Sequence, residues 1–377
     1  MSYELLRLIW WILIGVLLIG FMVMDGHDMG VGTLVPFIGK TDAERKAAIN
    51  SVAPHWDGNQ VWFVTAGGAV FAAWPLVYAT SFSILYIAIL AVLWTIFLRA
   101  PAFEYRSKIQ AESWRSLWDW VLFVGSAVPP LLFGVAFGNL MLGVPFHFDN
   151  SMHLVNDAIS PLSGFLKLLS PFALICGLVA LSMVTAHGGV YLTLRTEGAL
   201  QRRSRNLGMI FAILTVLFFA SGGLFIAHLP GYVALNLNPE GESNPLIKTV
   251  HILHGAWLNN YSAYPLLFLA PFLGCAAQGL SLLSLLKHKP GRAFVFSGIS
   301  MAGIILTPAI AMFPFILPSS SSPSSSLTVW DATSSAHTLL LMLIAALIFT
   351  PLIVIYTSWV YKIMRGKLTL ENSKTYY

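Results

Sequence analysis

Charge is what this sequence has least of. Only 10% of its 377 residues are Asp, Glu, Lys or Arg, against about 25% in an ordinary soluble domain. With 57% hydrophobic residues and a mean hydropathy of +0.75, that shortage excludes a soluble globular fold. Cysteine is nearly missing too. Cys176 and Cys275 both lie inside apolar runs, which excludes a disulfide framework or a CxxC redox pair. There is no Walker, GxGxxG or CxxCH motif, so nucleotide binding and covalent haem attachment have no sequence support. The short alternating strands of a membrane barrel are also missing, which leaves an all-α membrane protein. The net charge of +5 does not point to nucleic acid, because the basic residues sit in short loops between apolar runs.

Runs free of Asp, Glu, Lys, Arg and His cover 8–24 (with an apolar continuation to Gly39), 58–98, 120–146, 168–186, 206–227, 255–286, 293–330 and 338–361. A helix needs about 20 such residues to cross a bilayer. The run 58–98 is too long for one crossing. Trp74-Pro75 at its middle predicts a turn, since proline removes a donor and disfavours helix before it. The run 293–330 closes on Pro318-Ser-Ser-Ser-Ser-Pro-Ser-Ser-Ser326, a low-complexity polar loop. The expected fold is a polytopic bundle of about nine transmembrane helices. It forms a single integral-membrane domain over 1–377, with room for two four-helix bundles plus one peripheral helix. The first run lacks a small-residue cleavage site and reads as a retained span.

Loop charges orient the bundle. Lys40, Arg45 and Lys46 share a side with Arg99, Arg106, Lys108 and Arg115, then Arg195, Arg202, Arg203 and Arg205, then Lys287, Lys289 and Arg292, and the tail Lys362, Arg365 and Lys367. The alternate loops, 75–79, 143–166, 228–254 and 317–334, carry only Lys248. The positive-inside rule then puts the amino terminus outside (periplasmic) and the carboxyl terminus in the cytoplasm.

The rare ionisable groups gather toward the cytoplasmic side. Asp25, His27 and Asp28 lie within the first span, Asp57 starts the second, and Arg99 and Glu104 end the third. Asp25 and Asp28 are three apart, on one helical face. Carboxylates at that depth are costly unless paired or functional, so they serve either as a proton-conducting pair or as a structural pair with Arg99. Asp57 is either a proton-transfer group or a helix cap. His27 has the chemistry of a haem or metal ligand, but a lone membrane histidine without partners reads more readily as hydrogen-bonded structure. His251 and His254 share a helical spacing with no Cys, Asp or Glu to complete a metal set.

Several stretches taken together resemble subunit II of cytochrome bd ubiquinol oxidase. They are Arg7-Leu-Ile-Trp-Trp11, Asp25-Gly-His-Asp-Met-Gly30, Pro54-His-Trp-Asp-Gly-Asn-Gln-Val-Trp62, Phe71-Ala-Ala-Trp-Pro75, Trp118-Asp-Trp120, Pro129-Pro130 with Gly134-Val-Ala-Phe-Gly-Asn139, Ala311-Met-Phe-Pro-Phe315 and Leu327-Thr-Val-Trp-Asp-Ala-Thr-Ser-Ser335. They run in order from the first helix to the last. The resemblance implies a quinol:oxygen oxidoreductase of the bacterial inner membrane that contributes to the proton-motive force. In it subunit I ligates haem b and haem d and binds the quinol, either ubiquinol or menaquinol. The present chain would not be catalytic by itself. It would help deliver protons and oxygen, and in some members it holds a structural quinone. Small single-helix accessory subunits and membrane lipids are further implied partners.

On the same resemblance, Asp25, Asp28, Asp57, Arg99 and Glu104 take the proton-delivery positions, and Trp62 the mouth of the oxygen route. The family usually has phenylalanine where His27 stands, and aspartate is common where Glu104 stands. His27 would modulate the local pKa, and the extra methylene of Glu104 would shift a water chain. A proton-coupled secondary transporter is the rival class. It would put its acids at the midplane between repeated halves, whereas here they lie to one side and no repeat is evident.

Overall fold

The computed structural model describes residues 1–157 and 161–368. Helix α1 (Tyr3–Ile38) starts at Ser2, whose hydroxyl accepts the Leu5 amide at 3.2 Å, and stops at Gly39. Its 36 residues span roughly 54 Å at 1.5 Å per residue, well beyond the ~30 Å hydrocarbon layer. A short α2 (Asp42–Asn50) follows, opened by a capping box between Thr41 and Glu44. Helix α3 (Trp56–Ala73) breaks at Trp74, where Pro75 starts α4 (Pro75–Ile84), bent by 116° from α3. The turn read from Trp74-Pro75 is therefore present, but α4 does not return across the membrane. The third span begins only at Tyr86, where α5 (Tyr86–Phe97) runs on into α6 (Arg99–Tyr105) over 20 residues.

The chain continues through α7 (Glu112–Leu142), the antiparallel pair β1 (Phe146–Phe148) and β2 (Leu154–Asn156), α8 (Pro161–Lys167), α9 (Pro171–Arg195) and α10 (Gly198–Ile226). A hairpin of β3 (Pro230–Leu235) and β4 (Thr249–His254) leads to a short α11 (Asn259–Ala263). Then come α12 (Leu269–Leu286), α13 (Pro290–Met312), the pair β5 (Phe315–Leu317) and β6 (Leu327–Thr328), and α14 (Ala336–Ile363). Among the described residues eight helices are long and apolar enough to cross a membrane alone, and the bent pair α3/α4 makes a ninth. The bundle of about nine spans is the observed architecture.

Helix α9 is the most enclosed span, packed against α1, α7, α10 and α13. It meets α1 backbone to backbone at Gly30 and Gly188. A Cβ at Gly30 would lie 2.0 Å from the Val184 carbonyl and 2.8 Å from the Gly188 Cα, so only glycine permits this crossing. One core cluster, with Leu34, Ile38, Ala48 and Leu122, fills the end of α1 nearest the acidic residues. Another, with Leu6, Trp10, Phe146 and Leu327, fills the opposite end.

The serine-rich loop is anchored in that second end, with Ser320 and Ser321 left exposed. Ser319, Ser325 and Ser326 are buried. Ser326 accepts the Ser319 amide at 2.9 Å, Ser325 accepts the Phe148 amide at 3.2 Å, and the Ser319 hydroxyl donates to the Phe146 carbonyl. Serines suit a buried loop because each short hydroxyl satisfies a main-chain group that packing has cut off from water.

Candidate functional site

The α1–α9 crossing brings together the ionisable groups that the sequence scatters. Asp25 and Asp28 are fully buried on α1, one helical turn apart. Arg99, the first residue of α6, is also fully buried and holds Asp25 with two parallel bonds, Nη1 to Oδ2 at 2.9 Å and Nη2 to Oδ1 at 2.7 Å. Gly125 of α7 makes room for it, since a Cβ there would stand 3.1 Å from the Arg99 Cγ. The guanidinium carbon lies 5.6 Å from the Trp56 ring centroid. This fork on a carboxylate is the geometry that arginine favours and lysine cannot reproduce.

Asp28 has no such cation. Its Oδ2 accepts from Asn59 Nδ2 at 2.7 Å, and its Oδ1 faces two imidazoles, His27 Nε2 at 3.2 Å and His55 Nδ1 at 3.4 Å. Asn59 Nδ2 also reaches the Tyr361 hydroxyl at 2.8 Å and His55 Nδ1 at 3.1 Å. On its far side His55 Nε2 contacts the Tyr191 hydroxyl at 2.9 Å, and Tyr191 donates to the Ser51 carbonyl at 2.9 Å. His187 lies beside the group, with Nδ1 2.7 Å from Ser297 Oγ and Nε2 3.1 Å from the Val23 carbonyl. The result is a continuous polar chain from Asp28 to the start of α3, enclosed by apolar helices.

The other residues named from the sequence lie around this centre. Asp57 is exposed in the first turn of α3. The capping position is held by His55 without a side-chain cap bond, so Asp57 is not the helix cap. Its carboxylate does sit where the helix dipole favours an anion. Glu104 is exposed on α6, away from the buried group. Trp62 is half-buried against Gly20 of α1, where a Cβ would come within 2.6 Å of its ring. His27 is not lone, since its ring centroid is 5.4 Å from that of His55 and 4.4 Å from that of Tyr191.

Sequence reading overlooked Asn59, His187, Tyr191 and Tyr361 as members of the site. His55 and Asn59 carried a signal, a helical spacing of four within the same polar island as Asp57. It also overlooked a rim of ion pairs beside the site. There Arg106 grips Asp119 (2.6 Å) and Asp42 (2.9 Å), Arg45 reaches Asp119 (2.9 Å), and Arg203 meets Glu44 (2.5 Å).

An apolar cavity of about 520 Å³ lies deeper in the bundle, lined by Phe21, Met22, Phe133, Cys176, Met183 and Ile304 among others. Phe63, next to Trp62, forms part of its wall.

Sequence and structure comparisons agree with this architecture. Residues 6–364 match the family described as cytochrome bd terminal oxidase subunit II. The chain is 48% identical to cytochrome bd-I ubiquinol oxidase subunit 2 of Escherichia coli K12 over 373 residues, covering 98% of this chain and 97% of the relative. It is 49% identical to the probable cytochrome oxidase subunit 2 of Haemophilus influenzae over 97% of this chain and 96% of the relative. Identity to cytochrome bd ubiquinol oxidase subunit 2 of Bacillus subtilis is 33% over 98% of each chain. Among solved structures, the bd oxidase from Geobacillus thermodenitrificans shares the fold with a TM-score of 0.66 at 14% identity, covering 95% of this chain and 98% of that one. The chain belongs to the cytochrome bd terminal oxidase subunit II family and is a multi-pass bacterial membrane subunit of a quinol oxidase.

Proposed function

We propose that this subunit carries protons from the cytoplasmic side toward the site of oxygen reduction, while subunit I ligates the haems and binds the quinol. The observation that carries the reading is the polar chain through the first span. Beside the carboxylate that Arg99 neutralises, the side chains of Asp28, Asn59, Tyr361, His55 and Tyr191 are linked to one another by hydrogen bonds. A path through low-dielectric protein needs groups that pass protons along hydrogen bonds, because an unsupported charge there is expensive. Asp57 opens the same helix as His55 and Asn59 and is exposed, which suits it to proton uptake. Glu104, also exposed on the neighbouring α6, is a second collecting group.

The residues of this chain do not fit a haem. His27, His55 and His187 are the buried histidines among the described residues. Each points at neighbouring side chains and carbonyls rather than into the cavity. The cavity itself suits the isoprenoid tail of a quinone. Thr307 on its wall already donates to the Gly303 carbonyl at 2.8 Å, so the fit is to a tail held as structure. Dioxygen is apolar and also partitions into such a space, and Phe63 in its wall, the residue after Trp62, supports an oxygen route there. Exposed apolar residues on α5, α12 and α14, such as Trp94, Phe272 and Phe349, leave surface for subunit I, lipid and single-helix accessory subunits.

The test is Asp57→Asn in the assembled complex. The substitution keeps the shape but removes the ionisable group. Haem content stays at the wild-type level while quinol oxidase turnover falls at least about tenfold, equivalent to ~1.4 kcal/mol in the barrier. Normal turnover and proton uptake in a fully assembled variant would overturn the reading.

A further inference from the structure

The hydrogen bonds around Asp28 leave one of its oxygens short of a positive partner. His27 Nδ1 lies 3.2 Å from the Val23 carbonyl. A carbonyl cannot donate, so Nδ1 carries the ring proton and Nε2 keeps a lone pair. The Tyr191 hydroxyl spends its single proton on the Ser51 carbonyl, so His55 Nε2 donates to Tyr191 and His55 Nδ1 keeps a lone pair. Those two lone pairs meet Asp28 Oδ1 at 3.2 and 3.4 Å. Asp28 Oδ1 is fully buried and accepts no hydrogen bond. Asn59 cannot relieve all of this. Its amide has two protons and already faces Asp28 Oδ2, the Tyr361 hydroxyl and His55 Nδ1. The Asn59 amide and the Tyr361 hydroxyl reach the two ring nitrogens from the side, but Asp28 Oδ1 faces both rings with no donor of its own, an unfavourable arrangement in an apolar bundle.

We infer that His27 Nε2, His55 Nδ1 and Asp28 Oδ1 form a binding site for a divalent transition-metal cation of the Zn²⁺ type. Two imidazoles and a carboxylate make a ligand set that zinc accepts, with one position left open. Ligands about 2.0–2.1 Å from a tetrahedral ion stand roughly 3.3–3.4 Å apart, the spacing that the two contacts to Asp28 have. All three ligand atoms lie within 4.8 Å of one another. Ligands that share an ion aim at the ion rather than at each other, which accounts for close contacts without a directed hydrogen bond. The open position falls to the Tyr361 hydroxyl, 3.4 Å from His27 Nε2, or to a water.

The outer shell is in place. The Val23 carbonyl orients His27, Tyr191 orients His55, and Asn59 holds the second oxygen of Asp28, as metal-ligating side chains require. Asp25 does not compete, because Arg99 occupies both of its oxygens. A proton shared between one ring and Asp28 is the rival arrangement, and it would satisfy one contact while leaving the other. Tyr361 of α14 closes the site on its remaining side.

The site shares Asp28, His55, Asn59 and Tyr361 with the proposed proton path, so a bound cation would hold that path closed. It is read from metal content rather than turnover, so its failure is distinguishable from failure of the proton-delivery reading. The purified complex is equilibrated with Zn²⁺, washed free of unbound metal, and assayed for zinc per haem. Wild type retains one more zinc per complex than His27→Phe, which removes a ligand but keeps a planar ring in the same cage. Asp28→Asn binds at least tenfold more weakly, and the zinc-edge absorption spectrum of the wild type shows two imidazoles in the first coordination shell. Equal zinc in wild type and His27→Phe at equal haem content would overturn the site and leave the shared proton. Should a variant fail to assemble, the wild-type spectrum decides. A first shell with two imidazoles supports the site, and its absence sinks it.

Discussion

Asp25 and Asp28 share a face of α1 and a lack of solvent, yet the protein surrounds them differently. Asp25 has a fixed cation, whereas Asp28 has only an amide and two imidazoles. Removing one partner of a buried ion pair leaves the other as an uncompensated charge, at a cost of about 3–5 kcal/mol. Arg99→Met should therefore lower stability by that amount, seen as reduced haem-loaded complex and faster thermal inactivation. Arg99→Lys, which keeps the charge but loses the fork, should be milder. Normal stability of Arg99→Met would mean that Asp25 does not depend on the pair. Asp25, Asp28 and Arg99 were legible in the sequence because any charge inside an apolar run stands out. His187 and Tyr361 were not, since the former meets Val23 across 164 positions and the latter meets His27 across 334.

Among the elements, α2 shows what a local pattern can and cannot reveal. Thr41 and Glu44 have the spacing of a capping box and form one, but nothing near them in sequence announces that Glu44 also reaches Arg203 on α10. Burial opposes ionisation of Glu44. The hydrogen bond from Arg203 and those from the Lys40 and Thr41 amides outweigh it and hold the carboxyl below its usual range. A carboxyl depressed on folding adds stability above its unfolded pKa, about 4.3, and loses it as the pH falls through the lower folded value. Glutamine at this position preserves the capping oxygen. Glu44→Gln should thus cost only the ion pair, about 0.5–1 kcal/mol at pH 7. The difference from wild type should start to narrow below about pH 4.3 and close only as the pH falls through the lower folded value, in thermal unfolding of the detergent-solubilised complex. A gap independent of pH would exclude the ion pair as its source. The Trp74-Pro75 break was legible in the same local way. Its 116° bend was not, because proline marks where a helix stops and packing decides where the chain goes next.

At the scale of the whole molecule, hydropathy was enough to read the bundle of about nine spans, because a bilayer leaves few ways to satisfy the backbone. The packing centre was not readable, since α9 looks in sequence like any other apolar span. The two sets of loops do meet within themselves. Arg203 pairs with Glu44, Lys367 with Glu197 (3.3 Å), and Arg205 reaches His288 (2.8 Å) at the basic end. At the other end Arg7 donates to Thr333 (2.9 Å), the Tyr3 amide to Glu240 (3.1 Å), and Lys248 pairs with Asp331 (2.9 Å). Burial lowers the ease of charging Lys248, and Asp331 opposes that, so this end has Lys248 paired and Lys167 of α8 as its exposed loop cation. The positive charge is therefore concentrated at one end, and the positive-inside rule predicts that this end faces the cytoplasm. Reporter fusions after Lys40, Arg106, Arg203 and Lys289 should report cytoplasm, and fusions near the exposed Asn150 and Asn238 the opposite side. Inversion of every reporter would turn the proton path to face outward and remove its contribution to the membrane potential. A single inverted reporter would mean instead that one span, with α3 and its bent companion α4 the first to suspect, does not cross.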